Sequence, residues 1–236
     1  MVGRMEKTKK AADIYSSFMF VKLQLEFRRL ISNEKIAAKQ EFENMVGSAQ
    51  EKLFLRTYMV SGLRSDSDIL FWRMSDDLPY LQEICARTFS AGAGRYLTPS
   101  FTYLGVHPGP DPLAPKKDLD FGFLPKDTFG RHRFMLFHPV VKAHAWYELS
   151  DAEREKLMAD RTQVLSRYRD IQENFFMSYG LDEPDMIVVR EAKALDELSA
   201  ATQALRQQRI KSYTCGDKPV FLCLGKDLRE IMDAIS

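Results

Sequence analysis

The order of hydrophobic patterns constrains this chain more than any single motif, because the same succession runs through it twice. "DIYSSFMFVKL" is rich in aromatic and β-branched side chains and reads as a strand. "EFRRLISNEKIAAKQEFENMV" follows with helical spacing at Phe27, Leu30 and Ile31. "EKLFLRTYMVSGLRSDSDILFWRM" holds two extended runs about a Gly- and Asp-bearing turn, a hairpin. "SDDLPYLQEICARTF" reads as a helix, with Asp76 or Asp77 as its cap, Pro79 in its first turn and Gly92 and Gly94 at its end. "RYLTPSFTYLGV" returns as a strand. Further on, "HRFMLFHPVV" is a strand, residues 146–171 a helix, "IQENFFMSY" and "DMIVVRE" two strands, "LDELSAATQALRQQR" a helix, "PVFLCLG" a strand and "DLREIMDAI" a terminal helix. Two successive β-α-β-β-α-β halves predict an α+β fold of two ferredoxin-like units whose antiparallel sheets face one another. The repetition is one of element order; no self-similarity of residues accompanies it.

Between the halves the pattern stops. "HPGPDPLAPKKDLDFGFLPKDTFG", His107 to Gly130, holds five of the ten prolines. It is longer than the structureless loops usual inside a compact domain. The expected organisation is therefore an N-terminal half over 10–106, a Pro-rich connecting loop over 107–130, and a C-terminal half over 131–236 that carries the ligand pocket. A net charge of +1 gives nucleic acid and anionic membrane surfaces no electrostatic claim as partners. No run approaches the roughly 18 uninterrupted apolar residues of a membrane span. "MVGRMEKTKKAADIY" lacks the apolar stretch of a signal peptide. Cys85, Cys215 and Cys223 show no CxxC spacing and read as reduced thiols. A cytoplasmic protein is expected.

The stretch "WYELSDAEREKLMADRTQVLSRYRDI" carries the sharpest anomaly. Ser150 and Glu153 form a capping box, and Leu157, Val164, Tyr168 and Ile171 fall on one helical face. Arg161 lies about 40° from Leu157, inside that apolar arc, with Asp160 about 60° to the other side. An arginine there either snorkels to solvent or faces a pocket that supplies a counter-charge or water.

Three further stretches resemble the chlorite dismutase family, which includes the coproheme decarboxylases. They are "YMVSGLRSDSDILFWRM" in the first half, and "HPVVKAHAWYELSDAEREKLM", with its Pro-x-x-Lys-x-x-x-Trp-Tyr run, and "SYGLDEPDMIVV" in the second. The resemblance covers about residues 50–106 and 131–236. It implies a dimeric α+β barrel, commonly in a ring-shaped homopentamer, with haem or coproporphyrin iron in the C-terminal half. It also implies a proximal histidine on the 146–171 helix. Counting forward from "AER" puts that position at Arg161, and counting back from "GLD" puts it at Asp160. Neither is histidine, and a guanidinium has no lone pair for iron. The distal position falls on Glu173 or Asn174, neither of which carries the guanidinium of the chlorite dismutases. The reactive tyrosine of the decarboxylases is replaced by His138. Both activities are therefore disfavoured, whereas Lys142 suits a propionate and Trp146 a pocket wall.

His138 shares a strand face with Phe134, Leu136 and Val140 that is expected to point to the interior. It reads either as a hydrogen-bonded core histidine or as the best candidate for metal ligation or proton transfer. His132 and His144 lie near it in sequence without a strong metal spacing. His107 is expected in an exposed loop, and Met158 and Met177 as core filler. "SAGAG" follows a helix rather than opening one and is no phosphate loop. Two functional expectations remain. In the first, a divergent tetrapyrrole protein holds haem or coproporphyrin iron through Lys142, Trp146, His138, Arg161 and Asn174, with peroxidase-like or carrier activity. In the second, a homo-oligomeric member without cofactor acts as a structural or regulatory subunit, its pocket closed by an ion pair such as Arg161–Glu173.

Overall fold

The computed structural model describes residues 13–107, 130 and 132–236. The expected connecting loop therefore lies outside the described residues over 108–129, as do residues 10–12 and 131. Among the described residues nine strands form: β1 (Ile14–Leu23), β2 (Phe54–Met59), β3 (Ile69–Ser75), β4 (Leu97–His107), β5 (Phe134–Lys142), β6 (Gln172–Met177), β7 (Met186–Ala192), β8 (Thr214–Gly216) and β9 (Phe221–Gly225). They run in the order β7-β6-β4-β1-β3-β2-β9-β5, and β5 pairs back onto β7, which closes a barrel; β8 adds to the end of β5. The first half contributes β4-β1-β3-β2 and the second β9-β5-β7-β6, the same antiparallel order by rank in each half. The seams between halves are thin. β4 meets β6 at Val106 and Met177, and β2 meets β9 at Tyr58–Gly225 and Met59–Leu224.

Strand alternation explains why the barrel fills. Phe18, Phe20, Leu70, Trp72, Phe137, Phe176, Ile187, Val189 and Phe221 all point inward and are fully buried. Phe20 stacks on Phe221 with ring centroids 3.9 Å apart, and the Trp72 indole N–H donates to Ser16 Oγ at 2.9 Å. Glu191 intrudes on this face. It is fully buried and accepts from the Tyr58 hydroxyl at 3.2 Å and the Gly130 N–H at 2.9 Å.

The helices cover the outer face: α1 (Leu25–Arg29), α2 (Ser32–Gln50), α3 (Leu78–Arg87), α4 (His144–Tyr147), α5 (Asp151–Leu165), α6 (Leu195–Arg206) and α7 (Leu228–Ile235). Over the first half, Phe42, Val46, Leu81, Ile231 and Met232 pack on Val21, Ile69 and Phe71 in an apolar core. Arg73 is fully buried in that layer. Its guanidinium donates to Thr88 Oγ1 at 2.7 Å and lies 4.6 Å from the Phe71 ring centroid, with no carboxylate paired to it among the described residues.

Several expectations change. The segment from Glu26 breaks at Leu30–Ile31 into α1 and α2, and Ile31, the residue before α2, is 65% exposed, so Phe27 alone of the expected stripe is buried. The stretch 146–171 is not one helix. Trp146 sits in the separate turn α4, Ser150 caps α5, and α5 stops at Leu165, short of Tyr168 and Ile171. Helix α3 ends by Thr88, before Gly92 and Gly94. Those glycines instead let a 3-10 turn over Gly92–Tyr96 press on α2, where a Cβ at Gly92 would come 2.2 Å from the Ala38 carbonyl. β8 is too short for a periodic signal. His107 ends β4, half-buried with its ring 5.6 Å from Phe176, rather than lying in an exposed loop. His138 does not share the barrel interior: Met135 and Phe137 point there, and His138, Val140 and Lys142 face the covering helices.

The cap on α5 carries a modest prediction. Ser150 accepts from the Glu153 N–H while the Glu153 carboxylate accepts from the Ser150 N–H. Ser150→Ala is expected to lower stability by about 1 kcal/mol, visible as a drop in Tm of about 2–4 °C; an unchanged Tm would mean the cap is dispensable.

Candidate functional site

The outer face of the second half is built differently from that of the first. Register sets His138 opposite Val188, Val140 opposite Met186 and Leu136 opposite Arg190, so alternate residues of β5 and β7 look toward α5 and α6. Between sheet and helices lies a cavity of about 90 Å³. His138, Val140, Lys142, Phe175, Val188 and Arg190 line its floor. Met158 and Arg161 of α5, Thr202 and Arg206 of α6, and Lys211, Thr214 and Asp217 line its walls and mouth.

The charge in the α5 stripe has its reason here. Arg161 is buried with Leu157 and Val164, whereas Asp160 is exposed, so the inward residue is the arginine. Its two terminal nitrogens grip both carboxylate oxygens of Glu173 on β6. Arg190, opposite Glu173 in the β6–β7 register, donates from Nε to the same carboxylate at 2.6 Å. The three side chains are 8–9% exposed. Planar guanidiniums fit a carboxylate edge-on, which is why one acid can serve two arginines. Arg161 also lies 4.9 Å from the centre of the Phe175 ring.

Arg190 Nη1 sits 3.3 Å from His138 Nε2. A guanidinium only donates, so Nε2 is the acceptor and the ring proton resides on Nδ1. Burial, and after it the neighbouring Arg190, pushes the imidazole down to about 3, which keeps His138 neutral. Lys142 is 8% exposed, its Nζ 4.0 Å from the centre of the Trp146 ring. Burial first and Arg161 second draw its ammonium down to about 8. Lys211 and Asp217 pair at the mouth at 2.5 Å.

Of the residues singled out from the sequence, His138, Lys142 and Arg161 converge on the cavity, and Trp146 backs it through Lys142. Asn174 does not join them. It shares the inward face of β6 with Phe176 and is buried there, Nδ2 without a hydrogen-bond partner among the described residues. The other histidines lie apart: His144 is exposed beside Glu148, and His132 lines a separate 460 Å³ cavity with Arg56, Tyr58 and Lys226. Among the described residues no three His, Cys, Asp or Glu side chains come together as a metal site. Arg190, Arg206, Lys211 and Thr202 were not singled out. Arg190 had a signal, since it ends an apolar run in "DMIVVRE"; the others look like ordinary helix or loop surface.

A haem ligated through imidazole does not fit these residues. Of the two residues to which the resemblance assigns the proximal position, Arg161 is a guanidinium already held by Glu173 and Asp160 is exposed, and the His138 Nε2 lone pair is engaged by Arg190.

The model of the family described as Chlorite dismutase matches residues 35–226. The coproheme decarboxylase of Mycolicibacterium smegmatis is 26% identical over 165 residues, 70% of this chain and 69% of that protein. The chlorite dismutase of Ideonella dechloratans is 23% identical over 193 residues, 80% and 68% of the respective chains. Among solved structures, chlorite dismutase from Candidatus Nitrospira defluvii in complex with imidazole superposes with a TM-score of 0.80 at 21% identity, covering 94% of each chain. A match of that extent, on a barrel of this topology, places the chain in the chlorite dismutase family.

Proposed function

We propose that this chain is a member of the family that does not ligate iron, and that it serves as a ligand-binding regulatory or structural subunit rather than as a chlorite dismutase or coproheme decarboxylase. The carrying observation is the Arg161–Glu173–Arg190 cluster, since Arg161 is one of the two residues, with Asp160, to which the family resemblance assigns the proximal ligand. Opening it for a metal would strand buried charges, a cost on the order of several kcal/mol. Assembly with copies of itself is expected from the resemblance, and exposed Leu25, Ile31 and Ile36 supply apolar surface for it. Among the described residues no helix is long and apolar enough to cross a membrane, so no membrane partner enters the reading.

Titration of the purified protein with haem and with coproporphyrin iron, followed by absorption, tests this. No saturable Soret band is expected. A band at stoichiometric ligand would overturn the reading in favour of a second one, a porphyrin held by its carboxylates. That second reading draws on Lys142 and Arg206, which carry no acid partner among the described residues. Under it, His138→Ala would shift the band.

A further inference from the structure

The charges that line the cavity do not balance. Arg161 and Arg190 share the single carboxylate of Glu173, Lys211 is matched by Asp217, and Lys142 and Arg206 have no acid within ion-pair distance among the described residues, which leaves three positive charges in excess. His138 adds none, being neutral. Asp185 acts on Lys142 from outside the lining, but its Oδ2 is committed to the Lys142 backbone N–H at 2.5 Å. Buried cations need an acid, a ligand or water. Among the described residues, Lys142 Nζ lies on the aromatic face of Trp146 with no acid partner, and the buried Thr202 hydroxyl, on the opposite wall, has no hydrogen-bond partner. An ammonium without an acid partner and a buried hydroxyl without a hydrogen-bond partner, both among the described residues, therefore border one cavity that opens at its mouth. Its 90 Å³ is well below the roughly 300 Å³ at which pockets for drug-sized ligands begin. It exceeds several-fold the roughly 10–15 Å³ that a single water needs.

We propose that this cavity binds a compact oxyanion of at least two negative charges, of the size of inorganic phosphate or a short dicarboxylate, held by Lys142, Arg206 and the Thr202 hydroxyl above the Arg161 and Arg190 guanidiniums. The inference rests on the reading that iron is not ligated here, and it names the ligand class of that same site. The chemistry is graded from the mouth inward. Arg206 and Lys211, at the more exposed rim, attract the anion. Lys142 and Thr202, deeper, replace its water with fixed donors, and the charge-assisted bonds they form are the strong kind. The floor residues include no carboxylate to repel it, and His138, neutral, adds no charge.

Isothermal titration of the wild-type protein with sodium phosphate and, separately, with sodium malonate tests the proposal, at constant ionic strength set with chloride. Saturable binding of one anion per chain is expected for at least one of the two, and which one binds separates the phosphate from the carboxylate source. Lys142→Met is expected to weaken that binding by about ten- to a hundredfold, the worth of a charge-assisted hydrogen bond, and Thr202→Val by less. Arg206→Gln, at the exposed rim, should weaken it too, and it is the variant to read if Lys142→Met does not fold. No saturable heat from either anion, or affinity unchanged in the variants, overturns the inference. A Soret band in the haem titration overturns the underlying reading instead, so the two failures are distinguishable.

Discussion

Glu173→Gln is expected to lower the free energy of unfolding by about 3–5 kcal/mol, because it leaves two buried guanidiniums without their shared counter-charge. For a chain of this length that corresponds to a fall in Tm of roughly 6–20 °C. The loss is one of compensation rather than of a valuable bond. Replacing all three partners together, as Glu173→Leu with Arg161→Met and Arg190→Met, should therefore recover most of it, since buried ion clusters exchanged for apolar groups of similar volume are often neutral or better. Thermal and urea unfolding of the single and triple variants would show this. A Glu173→Gln protein as stable as wild type would mean that the cluster is hydrated, and the account of the α5 stripe would fail with it.

Glu191 carries the second large effect, and it appears as pH dependence. Burial pushes its carboxyl up to about 7, against the hydrogen bonds from the Gly130 N–H, the Tyr58 hydroxyl and the His132 N–H. A carboxyl whose folded value lies above its ordinary 4.5 binds its proton more tightly in the native state. Its contribution is complete below about 4.5 and is lost as pH rises through about 7. At about 1.4 kcal/mol per pH unit across that window, the loss is roughly 3 kcal/mol. Glu191→Gln keeps an acceptor for Tyr58 and does not titrate. Relative to wild type it should gain roughly 3 kcal/mol between pH 4.5 and pH 7.5, measured as the difference between the two stability curves. Parallel curves would show that the carboxylate ionises without penalty.

The alternation of apolar runs made the strands legible, and their repeated order made the double ferredoxin-like plan legible, since strand period and antiparallel pairing follow from local pattern. The joins between the halves, β4 to β6 and β2 to β9, are long-range pairings that no local pattern encodes. The α5 anomaly was visible because one charge broke a 3.6-residue stripe. Its resolution was not, because Glu173 belongs to another element and only the β6–β7 register brings it to Arg190. The inward sense of β5 was misread for a related reason. When both faces of a strand are buried, alternation does not say which one meets the other sheet and which meets the helices.

The repeated strand order lets each half serve as a control for the other. Arg73 is the fifth residue of β3 and Arg190 the fifth of β7, the same rank in corresponding strands, and both look toward the helices. Across the equivalent hairpins, Arg73 stands opposite Leu55 and Arg190 opposite Glu173. One chain thus holds two answers to a single buried arginine. In the first half a leucine faces it, and the guanidinium rests on a hydroxyl, an aromatic ring and sulfur beneath a sealed apolar layer. In the second a glutamate faces it and also holds Arg161 of α5, and both arginines line the cavity. The exchange of leucine for glutamate at one matched position separates an arginine set within an apolar core from an arginine that shares an ion cluster beside a cavity.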